Sequence, residues 1–341
     1  MIRLTLAIAA ALGVLAALLA LAGVPLRDVA VSFVEGTTGW IPDRGEFVGW
    51  QPVSEVLRRA TPLVLTGLAV QIALQAGLFN IGAEGQLRVG GLVAAWACLS
   101  LGLSGPLGIV VATILGAAAG LLWAAPAAWI RAFRGGHEVI STIMLNYVAV
   151  FATEFVVSGP MQERPGGEPT TAVIPEAASL SAITFGGGFV LYPALLVGIG
   201  LAILARLWLN RTPPGFEHRL VGANPSAAAY AGVKTKWVSL RALLLSGAVA
   251  GVAGALHLLG QERRYSIGFS PGYGFDSLGV ALLAGGHPLG VLPAALLFAA
   301  IEQGAVRAQV AIGLPKEISF VIQGLLLLLV AYVRWRRRST L

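Results

Sequence analysis

The chain alternates between long apolar runs and short polar or glycine-rich breaks. Many runs approach the roughly 20 residues that a helix needs to cross a bilayer core about 30 Å thick. The longest, such as Leu4–Val24 and Leu243–Leu259, are apolar on every face and lack the strict alternation of a half-buried strand. The pattern predicts about ten membrane segments: Leu4–Val24, Thr61–Phe79, Leu87–Leu103, Leu107–Ile130, Val139–Ser158, Phe189–Leu209, Trp237–Gly260, Phe275–Gly285, Leu289–Val306 and Ile318–Val333.

The segment Phe275–Gly285 is too short to cross alone unless it is tilted or partly re-entrant. We count it as a crossing because cytoplasmic loops of membrane proteins carry an excess of Lys and Arg. Without it, the basic tail Arg334–Arg338 would lie on the opposite side from the other basic loops. We therefore predict an all-α, polytopic membrane helix bundle, a single domain over residues 1–341, with both termini cytoplasmic.

Three stretches between the runs are polar. We expect 25–60 to be an extracytoplasmic loop with one short surface helix, and the Pro- and Gly-rich stretch 159–188 to be a second one. The basic stretch 210–236 is expected to be cytoplasmic. The first run could be a cleaved leader ending at Ala20-Leu21-Ala22, but it exceeds the usual apolar core of about 7 to 15 residues, so we expect a retained helix.

Composition narrows the class of protein. Of the 341 residues, 57% are hydrophobic and 11% are charged, where an ordinary soluble domain has about 25% charged residues. A soluble enzyme of one or two domains is therefore excluded. The net charge of +7 reflects orientation in a membrane rather than nucleic-acid binding, so we expect lipid and no nucleic acid as a partner.

Small residues recur at helical spacing in two runs, as Gly116-xxx-Gly120 and as Gly247-xxx-Gly251 followed by Gly254. Helices in a bilayer associate through close backbone approach, which small residues on one face allow. The motifs therefore predict tight helix packing.

A polar cluster, Asn80–Gln86, separates two long apolar runs. A carboxylate and amides facing lipid would be costly, so these groups face a cavity, the bundle interior or the cytoplasmic interface. The alternative is a tight turn between helices, whose glycines supply positive φ and whose Glu84 meets water or caps a helix.

The stretch 210–236 contains Ser226–Tyr230, a good short helix former that follows Pro225 and is closed by Gly232. A small-residue helix among basic groups could dock a soluble partner. It could equally be part of a solvated basic loop.

The residues that carry chemistry are scattered. His137, His218, His257 and His287 lie far apart, and Cys98 is the single cysteine, so we predict no metal site. No glycine-rich loop of the form Gly-x-x-x-x-Gly-Lys occurs. We expect no catalytic residue and no cofactor, and ATP hydrolysis only by another chain.

Several strings resemble the permease subunits of bacterial ABC importers for nucleosides and simple sugars, in the group that includes ribose and branched-chain amino-acid permeases. The strings occur in the same order as in that family, and the resemblance covers about Arg58 to Val333. His137 stands where the family usually has Asn. The matching strings are Arg59–Leu68 continued by Ala76–Gln86, then Glu138–Tyr147, Phe269–Asp276 and Gly286–Gly290.

The resemblance implies a multi-pass permease of the cytoplasmic membrane that works with ABC ATPase subunits, a second homologous permease and an extracytoplasmic substrate-binding lipoprotein. It implies a coupling helix in Gly215–Gly232. The residues expected to couple to the ATPase are Gly215, Glu217, Arg219, Gly222, Asn224, Ala228 and Gly232. Those expected near the substrate pathway are Phe79, Asn80, Glu84, Gln86 and Asn146, although they could equally hold the bundle together.

We therefore predict uptake of a nucleoside or related small solute by ATP-driven alternating access. The rival interpretations are an ion-coupled secondary transporter acting alone and a polytopic membrane transferase; scarce mid-span carboxylates oppose the first, and scattered acids and histidines oppose the second. Replacement of Gly222 or Ala228 by a bulky residue is expected to uncouple transport without affecting folding.

Overall fold

The computed structural model describes residue 23 and residues 25–338, and this part of the chain is mostly helical. The predicted run Leu4–Val24 therefore lies almost wholly outside the described residues. The α-helices are α1 Leu26–Thr38, α2 Gln51–Gln75, α3 Ala83–Ser100, α4 Gly105–Trp129, α5 Glu138–Val157, α6 Pro193–Arg211, α7 Pro213–Ala223, α8 Pro225–Tyr230, α9 Thr235–His257, α10 Tyr273–Ala284, α11 Val291–Ile312 and α12 Ile318–Arg338.

Short elements complete the described part. Single π-helical turns extend α4 over Ile130–Arg134 and α9 over Leu258–Glu262. Short 3₁₀ turns lie at Glu176–Ala178, Gly186–Gly188 and Pro288–Gly290. The β-strands are β1 Trp40–Ile41 and β2 Glu46–Phe47, which pair antiparallel, and β3 Ile183–Thr184 and β4 Val190–Leu191.

Six described helical segments are long and apolar enough to cross a membrane. They are Gln51–Gln75, Gly105–Arg134, Glu138–Val157, Pro193–Arg211, Thr235–Glu262 and Pro288–Ile312. The 12-residue helix α10 is apolar but shorter, as the sequence predicted. The protein is thus a polytopic helical membrane protein.

The chain divides into two compact units. One comprises residues 61–183 and 192–295, and we call it the bundle unit; the other comprises the described residues up to 60 together with 184–191 and those from 296 onward, and we call it the flanking unit.

The bundle unit is organised by a crossing of α4 and α9 through glycine. A Cβ built on Gly120 would lie 2.7 Å from the Cα of Gly251, and one on Gly251 would lie 3.1 Å from the Cα of Gly120. Gly90 of α3 meets Gly251 as well, where an added Cβ would lie 2.9 Å from the carbonyl carbon. No side chain fits between these backbones, which confirms the close packing that the two small-residue motifs predicted.

The flanking unit contains the short surface helix expected within 25–60. Helix α1 has one buried face, where Val29 packs with Ala308 and Leu314. Glu35 of α1 also forms an ion pair with Arg307.

Helix α2 begins at Gln51, within the predicted loop, rather than at Thr61. Pro62 consequently lies inside the helix, and Pro52 takes the place in the first turn where proline is tolerated. The extra turns carry charge that is paired: Arg58 with Glu55, and Arg59 with Glu302. These pairs explain why a polar stretch is helical here.

We expect Gly251→Ala to destabilise the bundle because even one methyl overpacks the crossing, which costs about 1–3 kcal/mol in well-packed interiors. Gly200→Ala in α6 is the matched control, since nothing lies within 4 Å of the added Cβ and alanine is the better helix former. The measurement is thermal unfolding of the purified protein in detergent. Equal melting temperatures for the two variants would contradict the packing described here.

Candidate functional site

The first turn of α3 carries Glu84, which is buried. Its carboxylate caps a different helix. The Oε2 atom accepts hydrogen bonds from the backbone N–H of Gly274, at 2.9 Å, and from the hydroxyl of Ser270, at 2.9 Å. Gly274 lies in the first turn of α10, where unpaired N–H groups and the positive end of the helix dipole favour an anion.

Arg88 supplies the opposite charge one turn along α3. Its Nε donates to Oε1 of Glu84 at 2.8 Å, and its second guanidinium nitrogen donates to the carbonyl oxygen of Ser270 at 2.7 Å. Both side chains are at most 10% exposed. The pair therefore ties α3 to the non-helical backbone that precedes α10.

A second network joins the link between α2 and α3 to α9. The amide nitrogen of Asn80 donates to Oε1 of Gln86 at 2.7 Å and to the hydroxyl of Ser246 at 2.8 Å. The Ser246 hydroxyl in turn donates to the carbonyl oxygen of Ala69 in α2 at 2.6 Å. These side chains are buried and satisfy one another.

Asn146 fastens α5 to the start of α3. Its Oδ1 accepts from the N–H of Gly85 at 2.9 Å, and its Nδ2 donates to the carbonyl oxygen of Ile81 at 2.7 Å. A Cβ on Gly85 would lie 2.9 Å from that same Oδ1, so the contact needs glycine.

The five predicted pathway residues fall into two groups. Asn80, Glu84, Gln86 and Asn146 are buried in the bundle interior with hydrogen-bond partners, whereas Phe79 is 41% exposed. Sequence analysis missed the partners, Arg88, Ser270 and Gly274. The spacing of Glu84 and Arg88 is the usual one for an ion pair along a helix and was the available signal.

The stretch 210–236 contains two helices, α7 and α8, where one was expected. Thr212 caps α7 by accepting from the N–H of Gly215 at 3.2 Å, and Asn224 caps α8 by accepting from the N–H of Ala227 at 3.0 Å. Thr and Asn are favoured at this position because their side chains replace missing backbone acceptors. Residues 212–232 are called the two-helix segment below.

One side of the two-helix segment is fixed to the bundle. Gly222 lies against the backbone of Gln75 and Ala76 at the end of α2, and Gly215 lies against the backbone of Trp208 and Leu209 in α6.

His218 adds a hydrogen bond from Nε2 to the carbonyl oxygen of Ile72 at 2.8 Å. Burial lowers the pKa of His218 from its ordinary 6.5, more than the hydrogen bond to Ile72 raises it, and the charge of Arg241 lowers it further. The imidazole is therefore neutral at pH 7.

The other side of the segment is open. Tyr230 is 95% exposed, and Phe216 and Arg219 are exposed as well. Glu217 approaches Arg241 of α9 at 3.5 Å, and Gly232 closes α8 with a φ of +85°, which suits glycine. The exposed surface therefore combines aromatic and basic side chains on a rigidly supported segment.

The expectation that bulky residues at Gly222 or Ala228 leave folding intact is wrong. A side chain at Gly222 would collide with the backbone of α2. Ala228 is fully buried and packs with Val221 and Val238. Both substitutions would disturb packing before they could report on docking.

A cavity of about 450 Å³ lies between the 163–173 stretch and Arg264, which follows the end of α9. It is lined by charged side chains of the 158–183 stretch, including Glu163 and Arg164, and by Arg264. Backbone hydrogen bonds join the two stretches, from Thr171 N–H to the Tyr265 carbonyl oxygen at 2.9 Å and from Ile174 N–H to that of Arg263 at 2.7 Å. In the part of the chain that the structure describes, no three His, Cys, Asp or Glu side chains are grouped as metal ligands.

These features define a polytopic membrane protein whose helices are joined by buried polar networks and which presents a fixed two-helix segment. Residues 53–331 match the family model described as the branched-chain amino acid transport system permease component, and the chain belongs to this family. It is the permease subunit of an ABC importer, a transport component rather than an enzyme, in the cytoplasmic membrane.

Similar proteins carry the same assignment. The chain is 38% identical to the guanosine ABC transporter permease protein NupP of Bacillus subtilis, over 82% of this chain and 80% of the relative. It is 35% identical to the glucose ABC transporter permease protein TsgB13 of Haloferax volcanii, over 92% and 82%. It is 32% identical to the nucleoside ABC transporter permease protein NupB of Lactococcus lactis, over 82% and 79%. No solved structure matches the chain.

We expect Glu84→Gln to destabilise the protein strongly. The change leaves Arg88 buried without its counter-charge, and breaking a buried pair in this way costs about 3–5 kcal/mol. The control is Asp43→Asn, which breaks the exposed pair between Arg27 and Asp43 and costs about 0–1 kcal/mol. Thermal unfolding in detergent measures both, and a Glu84→Gln protein as stable as the control would contradict the stabilising role of the buried ion pair.

Proposed function

We propose that this permease takes up a nucleoside or a related neutral solute by alternating access driven by partner ATPase subunits. The observation that carries the proposal is the two-helix segment, which is fixed to α2, α6 and α9 on one side and leaves Tyr230 exposed on the other. A partner protein that binds the exposed side could therefore move the helices to which the segment is fixed. The similarity to guanosine and nucleoside permeases supports the class of solute.

The proposed topology has about ten crossings with both termini in the cytoplasm. The six long apolar helices account for part of it, and α3, α10 and α12 would supply further segments. Helix α6 joins the 158–192 stretch to the two-helix segment, so a crossing by α6 puts these stretches on opposite sides. The excess of basic residues around the two-helix segment supports its cytoplasmic placement.

In the coupling step, the ATPase subunits would bind the exposed side of α8. Movement there would pass through Ala228, which packs on α9 through Val238, and through Gly222, which lies on the end of α2. Gly222 is in close contact with the backbone of α2, and Ala228 is fully buried, so both contacts are close-packed and rigid. The coupling role of Gly215, Glu217, Arg219, Gly222, Asn224, Ala228 and Gly232 is thus proposed as mainly structural, while the exposed side chains of Phe216, Arg219 and Tyr230 would meet the ATPase.

For the pathway, we propose that Phe79 is accessible to the solute. Asn80, Glu84, Gln86 and Asn146 would hold the surrounding helices in position, since each already has interior hydrogen bonds.

Three kinds of protein partner follow from the proposal. ATP would be bound by ABC ATPase subunits, and a second homologous permease would complete the pathway. An extracytoplasmic substrate-binding lipoprotein would dock at the end that carries the cavity of Arg164 and Arg264. Membrane lipid surrounds the helices.

A second candidate solute is a simple sugar, because the glucose permease of Haloferax volcanii matches over most of both chains. The two candidates share hydroxyl groups and differ in the aromatic base. Uptake of radiolabelled guanosine and glucose by cells that express the complete transporter separates them. We expect guanosine to accumulate and unlabelled glucose not to compete; the reverse result would contradict the nucleoside proposal.

We expect Tyr230→Asp to reduce uptake about tenfold or more, the size of effect seen at interface hot spots, because a buried charge would oppose ATPase docking. Tyr230→Phe is the control, and it should stay close to the parent. Since Tyr230 is almost fully exposed, neither change should alter thermal stability. Full uptake by a stable Tyr230→Asp protein would contradict the docking role.

A further inference from the structure

Helix α5 has two unlike faces. Thr142, Asn146, Ala149 and Thr153 form a buried stripe that includes the hydrogen bonds to the start of α3. The opposite face is exposed, and α5 is the least buried of the six candidate spans. The exposed side chains are Ile140, Met144, Tyr147, Val148, Phe151 and Phe155.

Tyr147 is the unusual member of the exposed face. It is the tenth of the 20 residues of α5, so at 1.5 Å per residue it lies about 15 Å from either end, near the middle of a membrane core. The residue is 58% exposed, and no hydrogen bond joins its hydroxyl to any residue that the structure describes.

Contact with lipid hydrocarbon is unfavourable for the side chain of Tyr147. Tyrosine is enriched at the membrane interfaces, where its hydroxyl meets water. At the centre of the hydrocarbon the hydroxyl would lose its hydrogen bonds without replacement, which is unfavourable. By contrast, Ile114 is the tenth residue of α4 and is 60% exposed, and its side chain suits lipid contact.

We propose that the exposed face of α5 lines the solute pathway and that Tyr147 and Phe151 bind the nucleobase. This inference rests on the proposed function. Residues four apart lie on the same face of a helix, so both rings are presented on one side of α5. Any nucleobase can stack on an aromatic ring, and the tyrosine hydroxyl can form one hydrogen bond with it.

The surroundings fit a neutral solute. The exposed stripe carries no charged side chain between Ile140 and Phe155, since Glu154 is only partly exposed and lies on the adjoining side. Asn146, the neighbour that sequence analysis selected, points into the bundle and is already engaged. The polar group available at mid-span is therefore the hydroxyl of Tyr147.

Cysteine labelling tests the environment of this face. Cys98 is the single cysteine and is buried, so Cys98→Ala gives a clean background. Tyr147→Cys and the matched Ile114→Cys are made in this background, in membranes containing the complete transporter. The probe is a cationic methanethiosulfonate, which reacts with thiolates in contact with water.

We expect Tyr147→Cys to react about tenfold faster than Ile114→Cys, and guanosine supplied with the binding protein to slow it. Equal slow rates would overturn the inference, whether lipid or the second permease covers the face. Fast labelling that guanosine does not slow would overturn the binding role.

Transport kinetics give a second readout that does not depend on the cysteine variant. Tyr147→Phe should raise the KM for guanosine about threefold, the scale of one lost neutral hydrogen bond. Tyr147→Leu should raise it about tenfold, the scale of one lost base stack. Unchanged KM in a folded Tyr147→Leu protein would overturn the inference.

Guanosine uptake by the parent protein distinguishes failure of the proposed function from failure of the inference about α5. If the parent takes up no guanosine, the proposed function fails. If it does take up guanosine but Tyr147→Cys reacts as slowly as Ile114→Cys, the inference about α5 alone fails.

Discussion

The bundle unit depends on the hydrogen bonds that the Glu84 carboxylate of α3 makes with the first turn of α10 and the residues before it. Helix α10 has 12 residues and spans about 18 Å, so the backbone before it lies inside the unit without helical hydrogen bonds. Irregular backbone is tolerated at membrane depth only where protein satisfies it. Glu84 accepts from Gly274 and Ser270, Arg88 donates to the Ser270 carbonyl, and their own charges cancel.

The remaining contacts keep Glu84 in that position. Asn80, Gln86 and Ser246 join the link before α3 to α2 and α9, and Asn146 holds its first turn from α5. The glycine crossing of α4 and α9 brings the backbone of α3 close at Gly90. The bundle unit thus has a stiff polar centre, whereas the aromatic residues proposed to meet the solute and the ATPase lie exposed on α5 and α8.

Sequence analysis succeeded where hydrophobic length decides the structure, and failed where distant residues decide it. The apolar runs predicted the long helices, and the spacing of Gly247 and Gly251 predicted the close packing of α9. The early start of α2 was missed because Arg59 is neutralised by Glu302, far along the chain. The partnership of Glu84 with Gly274 was missed for the same reason, whereas that with Arg88 follows from helical spacing.

Helix α10 is held at both ends by one short stretch of chain. Glu84 binds its first turn, and Gln75, which ends α2, donates from its side chain to the carbonyl oxygen of Gly286 just beyond its last turn. One inserted or deleted residue in α10 would shift an end by about 1.5 Å and rotate it by about a quarter turn. Either the contact of Glu84 or the contact of Gln75 would then be lost. The length of this helix is therefore fixed more tightly than its side chains, and relatives should tolerate substitution there far better than insertion or deletion.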